Sequence, residues 1–200
     1  MNIMAEVYKF KVRLCELENI IWREIEITSV SSVAKLGYAV LAAFESTTSH
    51  LFNIKCNGKR YEIVFEEDDF DDKPAVDPIK TKLSALKLGV GDTLTMEYDY
   101  GAGWEFEIEL LSITEMKRGA GTHYPYVVDG KGKGIIEDTS PYELAEIVVK
   151  TDTDGTLPKI TDMYSGKISE WDYRDFDLEY CNVFFKGNVW EIQNAYEAYE

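Results

Sequence analysis

Residues 97–110 read EYDYGAGWEFEIEL. In the second half Trp104, Phe106, Ile108 and Leu110 alternate with Glu105, Glu107 and Glu109. A period of two turns one set toward a core and the other toward water, the pattern of a half-buried strand. The preceding TLTMEY (93–98) does the same with Leu94, Met96 and Tyr98. Between the runs, Gly101 and Gly103 tolerate the backbone angles of a tight turn. Asp99 is placed to accept a hydrogen bond from an N–H two residues on. Tyr98 and Trp104 flank the turn and can pack across the two strands. The segment is therefore a hairpin. Its corner also admits a functional reading, a pocket with Tyr100 and Trp104 as an apolar wall, extended by Phe106, and Asp99 as its charge.

Upstream, VYKFKVRL (7–14) sets Tyr8, Phe10, Val12 and Leu14 against Lys9, Lys11 and Arg13. IWREIEIT (21–28) repeats the alternation through Ile21, Ile25 and Ile27, with Arg23 as the imperfect member of that face. The short link CELENI predicts a hairpin. The period then changes. In SVSSVAKLGYAVLAAFE (29–45), Val33, Leu36, Val40 and Phe44 recur at helical spacing. Ser31 or Ser32 can cap the first turn, and Gly37 can allow close approach to a sheet. LFNIKCNGKRYEIVF (51–65) is a second hairpin. Its Asn57-Gly58 pair suits a two-residue turn with positive φ, and Tyr61, Ile63 and Phe65 share a face. EEDDFDD (66–72) reads as an exposed acidic loop, and TKLSALKLGVGD (81–92) as one or two helical turns ended by glycine.

Past residue 113 the pattern weakens. MKRGAGTHYPYVVDGKGKG (116–134) reads as a long glycine-rich surface segment. SPYELAEIVVK (140–150) predicts a helix capped by Ser140, with Pro141 at its first position and Tyr142, Leu144, Ala145 and Val148 on its apolar face. TDTDGTLPKITDMYSGK (151–167) reads as loop. NVWEIQNAYEAYE (188–200) predicts a final helix burying Val189, Ile192 and Tyr196. The order predicts an α+β fold: antiparallel hairpins packed around one main helix, with a ββαββ, β-grasp-like start and a less regular helical C-terminal part. Residues 1–150 form the expected domain, and 151–200 an extension packed on it.

Composition narrows the function classes. Two hundred residues bury roughly 70% of their unfolded surface, so a core needs neither metal nor disulfide. The net charge of −16 repels phosphate backbones and anionic membranes. Lys9, Lys11 and Arg13 are a solvated strand face, so nucleic acid is not expected as a partner. No apolar run approaches the roughly 20 residues of a membrane span. Cys15, Cys56 and Cys181 form no C-x-x-C pair, and no leader-like segment opens the sequence. A reducing cytoplasm is the expected location.

Four stretches carry a family resemblance: YKFKVRLCELENIIWREIEI (8–27), SHLFNIKCNGKRYEI (49–63), YDYGAGWEFEI (98–108) and YPYVVDGKGKGIIEDTS (124–140). In this order they resemble the plasmid pRiA4b ORF-3-like family, also labelled transposon passenger proteins of the TnpR type. The resemblance spans residue 8 to about 150. It implies a mobile-element-associated protein of a family without a settled activity. Recombinase chemistry does not follow, because no nucleophilic Ser stands beside arginines on a basic surface. The chain departs from the family pattern at three places, two of them within its Tyr-Asp signature. Ala102 stands where Asp is usual, Phe106 where His is usual, and TSPY where Gly-Gly follows Glu-Asp.

The expected ligand-binding residues are His50, Tyr98, Asp99, Tyr100, Trp104, Glu137 and Asp138. No catalytic set is complete, and no G-x-S-x-G elbow is present. The histidines His50 and His123 lack the H-x-x-x-H or H-E-x-x-H spacing of a metal site, DTDG (152–155) does not fit a calcium loop, and GKGKG (130–134) lacks the Gly-Lys-Ser/Thr end of a phosphate loop. No metal and no cofactor are expected. The leading expectation is a non-enzymatic binding or accessory protein whose partner is a protein or small molecule. The alternative is a metal-dependent, hydrolase-like enzyme with a partly degenerate site, in which His50, Asp99, Glu137 and Asp138 converge in one cleft.

Overall fold

A computed structural model describes residues 5–46, 48–64, 75–161 and 166–198. In chain order they form β1 (Glu6–Leu14), β2 (Trp22–Thr28), α1 (Val33–Ala43), β3 (Phe52–Cys56), β4 (Lys59–Glu62), β5 (Thr93–Tyr98) and β6 (Trp104–Glu115). There follow β7 (Tyr126–Lys131), α2 (Pro141–Asp154), β8 (Lys159–Thr161), β9 (Ile168–Glu170) and α3 (Leu178–Glu197). Seven strands form one sheet in the order β4-β3-β5-β6-β1-β2-β7, and β8 pairs with β9 separately. Every pairing between these strands is antiparallel. The mixed α+β class and the ββαββ opening are those expected from the alternation.

The two faces of the sheet hold for different reasons. On the inner face Phe10, Val12, Ile25, Met96, Phe106 and Ile108 are fully buried. Burying each such side chain contributes about 1.5–3 kcal/mol. On the outer face Arg13 reaches Glu107 at 2.8 Å and Glu109 at 2.7 Å across the β1–β6 ladder, and Lys9 meets Glu24 at 2.6 Å. Exposed pairs of this kind are worth about 0–1 kcal/mol. Burial therefore drives the fold, and the charge ladder adds mainly to its register.

The long helix forms as its spacing predicts. Ser32 Oγ accepts the Lys35 N–H at 3.1 Å, and ten of the eleven residues of α1 are buried. Gly37 is where α1 meets the sheet: a Cβ there would stand 2.3 Å from the Phe52 ring. At the β3–β4 turn Asn57 and Gly58 both take positive φ, 49° and 72°. Residues 83–86 form a single 3₁₀ turn. Phe65 and the acidic run 66–72 lie outside the described residues.

Four expectations need correction. The segment 116–134 is no continuous surface loop, since Tyr126–Lys131 pairs with β2 as the edge strand β7. The GKGKG stretch packs tightly: a Cβ on Gly134 would lie 2.0 Å from the Phe44 carbonyl oxygen. Helix α2 continues through TDTD to a left-handed Gly155 at φ 75°, and Tyr142 on it is exposed rather than core. Helix α3 starts about ten residues before the expected point, with Asp177 as its cap. It buries Val189, Ile192 and Tyr196 as expected, with Phe185 in addition, against α1 and β7.

Arg23, the imperfect member of the Ile21–Ile27 face, keeps its place in the alternation. It belongs to the inward face of β2 and has no exposed surface. Its Nε donates to the Ala43 carbonyl at 3.0 Å, and one terminal nitrogen donates to those of Trp22 and Lys131, both at 2.9 Å. Its guanidinium lies over the Phe176 ring at 3.9 Å. Burial lowers its pKa to about 10. Helix α1 has no basic residue in its own last turn, so β2 supplies the cation that the negative end of that helix favours.

Candidate functional site

The β5–β6 corner is built as its residues require. Tyr98 pairs with Trp104 across the strands. Asp99 adopts φ 50° and Gly103 φ 79°. Asp99 Oδ1 accepts the Gly101 N–H at 3.1 Å and the Ala102 N–H at 3.3 Å. The Asp99 N–H donates to the Leu51 carbonyl at 3.0 Å, which ties the corner to the residue beside His50. His50 Nε2 then stands 3.3 Å from Asp99 Oδ2, and its ring meets that of Tyr98 edge-on at 5.9 Å. The Tyr196 hydroxyl donates to the His50 carbonyl, so α3 closes on the same corner.

Tyr98 reaches in the other direction. Its hydroxyl donates to Glu137 Oε1 at 3.0 Å. Burial, with the negative charges of Glu137 and Asp99, raises its pKa far above the ordinary tyrosine range. Glu137 and Asp138 (the latter at φ 60°) end a strap that leaves β7 and crosses the C-terminal end of α1. There the Ile135 N–H donates to the Phe44 carbonyl at 2.9 Å. Behind the strap opens a cavity of about 800 Å³, walled by Glu137 and Asp138, by Glu45 after α1, by Trp171 after β9 and by Glu191 and Ile192 of α3. A second cavity of about 560 Å³ adjoins it, between Ala43, Phe176 and the Tyr180–Phe184 face of α3.

The expected residues thus fall into three groups. His50, Tyr98 and Asp99 meet at the corner, Tyr98 joins them to Glu137, and Glu137 and Asp138 line the first cavity. Tyr100 and Trp104 do not form one wall. Trp104 is fully buried in the core with Phe106, whereas Tyr100 is half exposed, donating to Glu62 and accepting from Asn53 at 3.2 Å. Neither ring lines either cavity. Among the described residues no three His, Cys, Asp or Glu side chains gather to hold a metal ion, so the four-residue cleft of the hydrolase alternative is only partly assembled. The thiols are not set up as nucleophiles. Burial pushes Cys15 up to about 11, and it raises Cys56 and Cys181 as well.

Sequence reasoning missed Glu45, Lys133, Trp171, Glu191 and Ile192. They come from four separate stretches, at residues 45, 133, 171 and 191–192, and no local spacing joins those stretches. Arg23 did carry a signal, a charge where an apolar side chain continues the alternation.

These tyrosines set an alkaline limit on stability. Burial is the first cause of the raised pKa of both Tyr98 and Tyr196. Unfolded tyrosine titrates near pH 10, so the unfolded chain loses these protons first. The stabilisation is complete below about pH 10 and is lost as the pH rises beyond it. Arg23 opposes this, since its folded pKa is the lower one, but two deeply buried hydroxyls outweigh it. The melting temperature is expected to fall steeply between pH 9.5 and 11, with tyrosinate absorbance at 295 nm rising in the same transition. Gradual ionisation of all tyrosines in a folded protein would refute this.

An antiparallel sheet clasping α1, closed by α3, with a cavity behind a strap at one end, defines an α+β protein with an open recess. A family model, plasmid pRiA4b ORF-3-like protein, matches residues 6–183, and the chain belongs to that family. The uncharacterised protein y4hQ of Sinorhizobium fredii is 26% identical over 136 residues, 68% of each chain. A crystal structure of a protein of unknown function, MM3350 from Methanosarcina mazei Go1, superimposes with a TM-score of 0.69 at 22% identity. The match covers 90% of this chain and 98% of that one, and it bears on the fold. Among the described residues no helix is long and apolar enough to cross a membrane.

Proposed function

We propose that this protein is a non-enzymatic binding or accessory protein whose ligand enters the 800 Å³ cavity behind the 133–138 strap. That cavity carries the reading. Its size falls within the roughly 300–1,000 Å³ of small-molecule sites. Ile136, Trp171 and Ile192 give it apolar walls, while Glu45, Glu137, Asp138 and Glu191 face a single lysine, Lys133. This chemistry suits an organic cation with an apolar body. The net charge of −16 supports a partner other than nucleic acid. The plasmid origin in the family's description supports association with a mobile element, and the reducing cytoplasm fits three unpaired cysteines.

The test is titration with dansylcadaverine, a fluorescent primary amine. Saturable one-to-one binding is expected, weakened at least roughly tenfold by Ile192→Arg, which puts a cation into the wall. Tyr142→Ser, on the exposed face of α2, leaves it unchanged. Absence of saturable binding, or binding indifferent to Ile192→Arg, overturns the reading.

One observation favours a second reading, the 3.3 Å contact of His50 with Asp99. A metal-dependent, hydrolase-like enzyme would use that pair to hold its metal. It predicts stoichiometric transition metal in the purified protein, lost in His50→Ala. Metal-free protein that still binds the amine excludes it.

A further inference from the structure

The two cavities are adjoining halves of one trough. Both include Ala42, Glu45, Lys133 and Asn188 in their walls. Helix α3 forms one side of the trough throughout. It contributes Tyr180 and Phe184 to the second cavity, Asn188 to both, and Ile192 and Ala195 to the first. From Tyr180 to Ala195 the helix rises about 23 Å at 1.5 Å per residue. An extended chain covers that distance in about seven residues, at roughly 3.3 Å each. Each half is of a size to hold one small ligand, so their union suits a linear molecule.

The charge of the trough selects that molecule. To the four carboxylates of the first cavity the second adds Asp175 and Asp177, and Lys133 is the single basic residue in either wall. Six acids to one base exceeds the 37 to 21 of the whole chain. The second half is also aromatic. Phe176, Tyr180 and Phe184 line it, and Tyr180 and Phe184 are 67% and 49% exposed. A simple polyamine would satisfy the carboxylates and leave these rings in water. A peptide alternating basic and apolar side chains satisfies both, because successive side chains of an extended chain point to opposite sides.

We propose that the trough along α3 binds an extended basic segment of another polypeptide, about seven residues long. Its lysines or arginines meet the carboxylates, and an apolar anchor seats against Phe184. This rests on the cavity being a ligand site, and it names the class of ligand.

The probe is a fluorescein-labelled heptapeptide of alternating lysine and leucine, followed by anisotropy. A glutamate–leucine heptapeptide and spermine serve as controls. The lysine peptide is expected to bind and to compete with dansylcadaverine. Its affinity falls with added salt, because the attraction is between charges partly open to solvent. Phe184→Ser weakens the peptide roughly tenfold, as loss of an aromatic anchor does, and changes amine affinity less than twofold. Tyr180→Ser, at a more exposed position, acts in the same direction. Three results overturn the proposal: the acidic peptide binds equally, spermine competes as well as the heptapeptide, or Phe184→Ser leaves peptide affinity intact. If the amine binds and the peptide does not, the small-molecule reading stands and this one fails. If neither binds, both fail.

Discussion

Arg23→Met is expected to lower the unfolding free energy by about 3 kcal/mol. The guanidinium satisfies the carbonyls of Trp22, Ala43 and Lys131, which belong to β2, α1 and β7. The bond to Ala43 is buried and those to Trp22 and Lys131 are partly buried, and a buried acceptor left without a donor costs about 1–3 kcal/mol. Methionine fills most of the space between Phe44 and Phe176, and it removes the cost of burying a charge whose second terminal nitrogen has no hydrogen-bond partner. That relief offsets part of the loss but not three carbonyls, one of them at the negative end of α1. In a chain of this size the change corresponds to a fall in melting temperature of roughly 6–12 °C. Urea titration should show a lower midpoint at unchanged slope. A methionine variant as stable as the parent would mean that Arg23 contributes packing volume alone.

Gly134→Ala is expected to cost about as much, through a contact with no soft partner. The added Cβ would lie 2.0 Å from the Phe44 carbonyl oxygen and 2.4 Å from its carbon. Both atoms are backbone, so neither can rotate aside. The strap must lift from α1, losing the hydrogen bond from the Ile135 N–H. Overpacking strain of about 1–3 kcal/mol, plus about 1 kcal/mol for the bond, gives roughly 2–4 kcal/mol. Gly134 is not among the glycines with positive φ, so the substitution isolates the collision from any backbone preference. The same movement displaces Glu137 and Asp138, and amine affinity should fall even under conditions where the variant stays folded. Hydrogen exchange at Ile135 is the direct check. An amide as protected as in the parent would contradict the argument.

These two positions also mark where the sequence was legible and where it was not. Alternation through Leu94–Tyr98 and Trp104–Leu110, and the Asn57-Gly58 pair, carry their structure locally, because period and turn chemistry are properties of adjacent residues. Strand β7 has no such period. Gly130 is required there because a Cβ would meet the Phe176 ring at 2.7 Å and the Arg23 side chain at 2.9 Å, and both neighbours are distant in sequence. The His50–Asp99 contact was within reach, since both residues adjoin paired strands, and the Tyr98–Glu137 bond joins two expected residues. The cavity walls were not. Glu45, Trp171 and Glu191 become neighbours only when α3 folds back onto α1. Trp104, the most conspicuous residue of the corner, proved to belong to the core, as its place in the inward alternation already implied.

The sluggish sulfur chemistry of this chain makes it easy to instrument. Burial raises the pKa of Cys15, Cys56 and Cys181, so each holds less thiolate at neutral pH than an exposed cysteine, and it is the thiolate that attacks a maleimide. A Val183→Cys substitution, at a position 73% exposed on α3, would then outpace all three. A dye or spin label could be attached beside the trough without first stripping the natural cysteines, and occupancy could be followed on the otherwise unaltered molecule.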